Sequence, residues 1–253
     1  MSTPTSPLRV AVITPYYQES LDVLRTCHES VLGQTYPCTH FLVSDGSPHA
    51  AVRDWTAEHI LLGRPHGDVG NTPRAIGSFS AMNRDFDAIA YLDADNWYYP
   101  NHIESMVTLH QRTGAIVCSA TRSIHRLDGS LMYTDTFECD GDGHVDTSCL
   151  FLLRPAFGVL PFWAMMPKQL GPTGDMIIWT AIRARGFLSA HHAEPTVAFR
   201  TQYQLHYQNV GESPPPETKS TADSTIGARS WWDSLPSEVR AMWHRYLFGV
   251  DPS

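Results

Sequence analysis

Ala90-Tyr91-Leu92-Asp93-Ala94-Asp95-Asn96 is an apolar run, read as a buried strand, that ends in two carboxylates one residue apart. Side chains alternate in direction along a strand. Where the chain leaves the sheet that alternation relaxes, so both carboxylates can face a ligand beyond the strand's C-terminal end, which is where open α/β sheets bind ligands. A hard divalent cation is held by one or two carboxylates plus substrate phosphates rather than by a complete protein cage. The pair therefore suits a metal-bridged diphosphate. A solvated acidic turn is the alternative, and the neighbouring sequence decides between them.

Upstream, residues 8–13 form a short β-branched run between Pro7 and Pro15, the pattern of a buried first strand. Ser20 can cap the following helix, with Leu21, Leu24, Val31 and Leu32 near helical spacing and Gly33 as its stop. Residues 41–43 read as a second strand ending in the turn Ser44-Asp45-Gly46-Ser47-Pro48, and 60–62 as a third before a Gly- and Pro-rich loop. A helix over 75–84, a strand over 88–92, a helix over 102–112 and a strand over 115–120 follow. Strand and helix alternate, which predicts a parallel sheet. Beyond residue 121 the pattern changes. Asp128-Gly129 predicts a hairpin within 123–137, 175–185 a helix between Gly174 and Gly186, and 197–207 a segment that extends the sheet or crosses beneath the site. Pro214-Pro215-Pro216 marks a linker or loop, and 235–248 reads as a terminal helix docked through Trp243, Leu247 and Phe248.

At 253 residues the chain can build one large α/β domain, and 42% hydrophobic against 17% charged residues is ordinary for a folded protein. A net charge of -8 argues against electrostatic capture of nucleic acid. The five cysteines are odd in number and show no Cys-x-x-Cys pairing, so neither a zinc site nor a disulfide framework is indicated and a cytoplasmic location is expected. Residues 1–7 lack the basic-then-apolar order of a signal peptide and read as a disordered leader. The most apolar stretch, 150–167, contains Arg154 and is broken by Pro155 and Pro161, so no transmembrane segment is expected. Peripheral membrane contact stays open.

Five landmarks then fall into order: Val12-Ile13-Thr14-Pro15-Tyr16-Tyr17 with Glu19; Val43-Ser44-Asp45-Gly46-Ser47; Pro73-Arg74-Ala75-Ile76-Gly77; Leu92-Asp93-Ala94-Asp95-Asn96; and Thr173-Gly174-Asp175-Met176 with Arg183 and Gly186-Phe187. Over residues 10–206 the chain resembles the family 2 glycosyltransferases. The resemblance implies a GT-A fold: an α/β domain with a Rossmann-like, mostly parallel central sheet flanked by helices and a smaller acceptor-side β region. It assigns 8–121 to the nucleotide-sugar-binding half, 122–210 to the acceptor-binding and catalytic half, 211–234 to a Pro-rich loop or linker, and 235–253 to a C-terminal helix and tail.

The resemblance also implies roles. Thr14, Pro15, Tyr16 and Glu19 would border the nucleotide pocket, and Asp45 would accept a hydrogen bond from the base, which a carboxylate can do for a ring N–H; stabilising its own turn is the alternative. Arg74 would pair with a phosphate or close the pocket, or make an ordinary ion pair, and Ala75 stands where the family often has Asn. Asp95 would bind Mn²⁺ or Mg²⁺ directly, with Asp93 nearer the ribose or a metal-bound water. His206 falls where some members supply another metal ligand, and a structural histidine is the alternative. Asp175 would be the base that removes the acceptor's proton during inverting transfer, although an N-cap reading also fits and Gly174 replaces the family's preceding acid. Trp163 is an acceptor-site candidate, with core packing as its alternative. Arg183 is expected to be structural. The implied reaction moves a sugar from a nucleoside-diphosphate sugar, with UDP expected, to a glycan, lipid-linked or small-molecule acceptor. A retaining transferase and a catalytically silent sugar- or nucleotide-binding protein are the competing readings.

Overall fold

The computed structural model describes residues 6–249; the expected leader lies largely, and the last four residues of the expected tail wholly, outside them. The elements in chain order are β1 (Val10–Tyr16), α1 (Leu21–Leu32), β2 (Cys38–Ser44), β3 (Glu58–Leu61), α2 (Asn71–Asn83), β4 (Ala88–Tyr91), β5 (Trp97–Tyr98), α3 (His102–Thr113), β6 (Val117–His125), β7 (Leu131–Asp135), β8 (Leu150–Leu153), α4 (Pro161–Met165), α5 (Gly174–Ala184), β9 (Ser189–Arg200), α6 (Gln204–Asn209), α7 (Thr221–Ser234) and α8 (Ser237–Phe248). One sheet runs β3-β2-β1-β4-β8-β6-β9-β5, with β7 also paired to β6. Strands β3, β2, β1, β4, β6 and β9 share one direction, and β8, β5 and β7 oppose it. The mostly parallel GT-A sheet expected from the sequence is present.

The centre of the sheet explains its sequence. Every residue of β1 and β4 is buried, because helices cover both faces of a parallel sheet and leave no side for polar residues. Ser20 caps α1 by accepting the Val23 N–H at 3.4 Å, and Gly33 ends it. Helix α2 packs on β1 and β2 through Gly77, where a Cβ would stand 2.6 Å from Ile13 Cγ2 and 3.0 Å from Val43 Cγ2. The hairpin of β6 and β7 turns through Gly129, as the Asp128-Gly129 signal predicts.

Strand β6 runs on to His125 rather than ending at 120, and β9 begins at Ser189 rather than 197; three further segments also differ from expectation. Helix α2 starts at Asn71 rather than 75, because Asp68 Oδ2 accepts from the Thr72 backbone N–H at 2.9 Å and Pro73 is tolerated in a first turn. Residues 197–207 are not one strand: β9 ends at Arg200, Thr201 Oγ1 accepts the Tyr203 N–H at 2.9 Å, and the chain turns into α6. Residues 221–234, expected within a Pro-rich loop, form α7, and only the segment around the three prolines is irregular. Among the described residues no helix is long and apolar enough to cross a membrane.

Buried histidines sit in the frame. His40 bonds Thr14 Oγ1 at 2.8 Å and His28 Nδ1 at 2.9 Å, and burial holds it well below the usual histidine value. His102 bonds Thr196 Oγ1 at 2.8 Å, and burial lowers it to about 3. An unfolded histidine takes up a proton below about 6.5 while these do not, so their contribution is complete above that pH and is lost as pH falls toward the folded values. We expect the urea midpoint to fall between pH 7 and pH 4.5, His102 alone accounting for something on the order of 2 kcal/mol, and His102→Gln to flatten part of that slope. Gly77→Val should overpack the α2–sheet contact and cost roughly 1–3 kcal/mol in the same assay at pH 7.

Candidate active site

The C-terminal ends of β1, β2, β4 and β9 lie along one edge of the sheet, and the chain leaving each contributes to a cleft of about 630 Å³. Its wall carries Pro15 and Tyr16 at the end of β1, Glu19 after it, Asp45 after β2, Arg74 from α2, Asp93 and Asp95 after β4, and Gln202 after β9. The Asp93 turn is pinned from both sides. Ser148 Oγ accepts the Asp93 N–H at 3.2 Å and the Asn96 side-chain amide at 3.0 Å, while Asn96 Oδ1 accepts the Arg200 N–H at 2.9 Å.

Arg74 is nearly buried. Its Nη2 donates to Asp93 Oδ1 at 2.5 Å, its Nη1 to the Val69 carbonyl at 2.8 Å, and its guanidinium lies 5.4 Å above the Trp163 ring. Burial works against its charge, but Asp93 overrides that and holds Arg74 above its ordinary value. Asp95 Oδ2 accepts from Gln202 Nε2 at 2.9 Å. Loss of solvent, followed by repulsion from Asp93 and Glu19, pushes its carboxyl up to about 7. The Asp45 carboxylate is clasped by the His66 N–H at 3.1 Å and by His66 Nδ1 at 2.6 Å, which closes the 64–70 loop over this side of the cleft.

A second cavity of about 250 Å³ adjoins the first and shares Arg74 and Asp93 with it. Asp175, in the first turn of α5, lines it together with His144, Asp146, Arg122, Glu138 and Tyr203. Asp175 Oδ2 lies 3.0 Å from His144 Nε2. The His144 Nδ1–H donates to the Glu138 carbonyl at 2.6 Å. Burial would lower His144, but the hydrogen bond and charge of Asp175 outweigh it and raise the imidazole to about 9. Arg122, buried beneath the cavity, binds Asp135 at 2.8 Å, Asp146 at 2.7 Å and Glu138 at 2.8 Å.

Three expected site residues are placed otherwise. Thr14 is fully buried and its hydroxyl is committed to His40, so it supports the pocket from below instead of bordering it. His206 lines the second cavity, apart from Asp95; its Nε2 meets Glu138 Oε2 at 3.0 Å and its Nδ1 meets Thr201 Oγ1 at 2.6 Å, leaving neither nitrogen free for an ion. Trp163 also lines the second cavity, but it is 1% exposed, with its ring edge against Tyr91 and its face under Arg74, so it is a supporting wall rather than an open stacking platform. Among the described residues no group of three or more His, Cys, Asp or Glu is gathered as a metal cage. His66, Gln202, Ser148, Arg122 and His144 were not legible as site residues. Ser148 and Asp146 do stand in the Asp146-Thr147-Ser148 run that leads into β8, and an acid beside hydroxyls before a buried strand was the one available signal.

Residues 11–138 match the family model described as Glycosyl transferase family 2, half of the chain. The chain is 29% identical over 103 residues to the succinoglycan biosynthesis protein ExoW of Rhizobium meliloti, and 30% identical over 107 residues to the uncharacterized glycosyltransferase YibD of Escherichia coli K12. These matches cover 38% and 40% of this chain, and only 32% and 30% of those proteins. Among solved structures it is similar to residues 1–349 of S. aureus TarS in complex with UDP, with a TM-score of 0.59 at 10% identity over 93% of this chain and 78% of that one. A second S. aureus TarS structure gives 0.58, with 93% of this chain and 47% of that chain covered. Such a likeness speaks to the fold, while the sequence match speaks to descent. The chain belongs to glycosyl transferase family 2 and carries a GT-A fold.

Proposed function

We propose that this protein transfers a sugar from a nucleoside-diphosphate sugar, with UDP as the nucleotide, to a hydroxyl acceptor with inversion at the anomeric carbon. The observation that carries this reading is the junction of the two cavities: Arg74 and Asp93 line both, with Asp95 on one side and Asp175 on the other. A donor lying in the larger cleft would present its sugar to the smaller one. Membership of family 2 and the likeness to a TarS structure holding UDP support the choice of donor.

Each residue has work suited to its surroundings. Pro15, Tyr16 and Glu19 border the nucleotide, and Asp45, already aligned by His66, is an acceptor for a ring N–H. The donor set fits a divalent cation: Glu19, Asp93 and Asp95 line one cleft, and loss of solvent, followed by repulsion from Asp93 and Glu19, raises the Asp95 carboxyl to about 7. Asp95, with Asp93 beside it, would hold Mn²⁺ or Mg²⁺, the phosphates completing the shell. Bound there, the ion supplies charge neutralisation to the departing diphosphate. Asp175 takes the proton of the acceptor hydroxyl as its oxygen bonds to the anomeric carbon, and the bond from that carbon to the phosphate oxygen breaks with its electron pair leaving on the diphosphate. Arg122 keeps the acids under the acceptor cavity paired, so their charge does not repel the incoming group.

The test is UDP release from a panel of UDP-sugars, with NMR of the product's anomeric signal. Asp175→Asn should lower turnover about 10²- to 10⁴-fold, the range of general-base catalysis, with UDP affinity unchanged by calorimetry; a retained anomeric configuration, or loss of UDP binding in that variant, defeats the assignment. Asp95→Ala should abolish Mn²⁺ activation. His206→Ala, whose nitrogens are both engaged, should leave the Mn²⁺ activation midpoint where it is.

A further inference from the structure

We propose that His144 is the positioning residue for Asp175, and that the loop carrying it is built to hold one oxygen of that carboxylate so that the other faces the acceptor. The inference rests on the reading of Asp175 as the base. The loop is held at nearly every residue. Asp140 Oδ1 accepts the N–H groups of Asp142 at 2.9 Å, Gly143 at 2.8 Å and His144 at 3.3 Å. Gly141, with φ of +77°, lies against the His191 ring, where a Cβ would stand only 2.4 Å from that ring's Cγ. His191 is itself fixed by Ser119 at 2.9 Å and Thr121 at 3.0 Å.

The grip from the other side comes from α5. Asp175, Trp179 and Arg183 are spaced four residues apart and fall on one face of that helix. Trp179 Nε1 donates to the Asp142 carbonyl at 2.9 Å, and Arg183 binds both that carbonyl and, at 3.1 Å, the Asp142 carboxylate. The helix face that presents the base therefore also docks the loop that brings His144 to it. Within that frame the Nδ1–H is spent on the Glu138 carbonyl, and the Nε2–H can point only at Asp175 Oδ2. Oδ1 accepts the Met176 N–H at 2.8 Å and keeps a second lone pair for the acceptor's proton.

Protonation follows from this geometry. With both ring nitrogens facing oxygen acceptors, the imidazole is a cation, and its value of about 9 keeps it so through the neutral range. Above that value the ring keeps one proton for two acceptors, so either the bond to Asp175 or the tether to the Glu138 carbonyl gives way and the fixed aim is lost on the alkaline side. The other charged or titratable groups lining its cavity are Glu138 and Asp146 on its own segment, Asp93 after β4, Arg74 from α2, Arg122 from β6, Tyr203 before α6 and His206 from α6, while Arg183 from α5 binds its loop.

Two measurements test the proposal. The first needs no acceptor: side-chain NMR titration of His144 in the whole protein should give a midpoint near 9 in the wild type, falling by more than one pH unit in Asp175→Asn. A midpoint at the ordinary histidine value overturns the pairing whatever the protein transfers. The second is UDP release from UDP-glucose and UDP-N-acetylglucosamine with water as acceptor. His144→Ala should lower kcat at least tenfold with the donor KM unchanged. His144→Gln, which keeps an N–H at the Nε2 position, should recover most of that rate and lose the alkaline limb near pH 9. An Ala variant with unchanged kcat, or a Gln variant that keeps the alkaline limb, overturns the positioning role. A high, Asp175-dependent midpoint without UDP release from either donor sinks the proposed base role, and the positioning role with it, while leaving the ion pair.

Discussion

The 2.5 Å contact between the Arg74 guanidinium and the Asp93 carboxylate stands where the two cavities meet. It joins the first turn of α2 to the chain leaving β4, and its position depends on several other segments. Ser148 holds the backbone of Asp93. Asn96 ties that turn to Arg200 at the end of β9. Trp163 lies under the guanidinium. An ion pair this buried costs desolvation that only good geometry and further hydrogen bonds offset. The surrounding bonds to Val69 and Asn71 serve that end.

Around this pair the molecule manages an excess of negative charge at one edge of its sheet. Cations answer some acids directly: Arg74 for Asp93, Arg122 for Asp135, Asp146 and Glu138, and His144 for Asp175. Asp95 accepts an amide from Gln202, and burial, followed by repulsion from Asp93 and Glu19, raises its carboxyl more than the Arg200 charge lowers it. The uncompensated charge is thus concentrated on the side assigned to a diphosphate and its cation, and the compensated charge on the side assigned to the acceptor. Neutralising the leaving group and activating the nucleophile call for different electrostatics, and the two cavities differ in that respect.

Much of the first half was legible because it is built from repeated strand-then-helix units whose burial leaves a strong pattern. Apolar β1 and β4, the Ser20 cap, Gly33, the turn after β2 and the Asp128-Gly129 hairpin all carry local signals, and each lies where those signals point. The second half was harder. His206 stands in a segment where a metal ligand was expected, yet hydrogen bonds to Thr201 and Glu138 occupy both nitrogens. Thr14 follows the same lesson in the strand: its neighbours in sequence line the cleft, but pleating turns its own side chain toward His40. Helix α7 was hidden behind three prolines and a weakly amphipathic sequence.

The sequence by itself determined most strands and helices of the first 121 residues, the family, and the identity of the acids at the strand ends, because these depend on residue type, short-range spacing and burial. Tertiary structure alone decided which of those acids are paired and which are left exposed to repulsion. It also brought His144, 31 residues before Asp175, into contact with it. Pairings of this kind depend on how a hairpin, a turn-rich loop and a helix face pack together, and long-range packing leaves no periodic trace in the order of the residues.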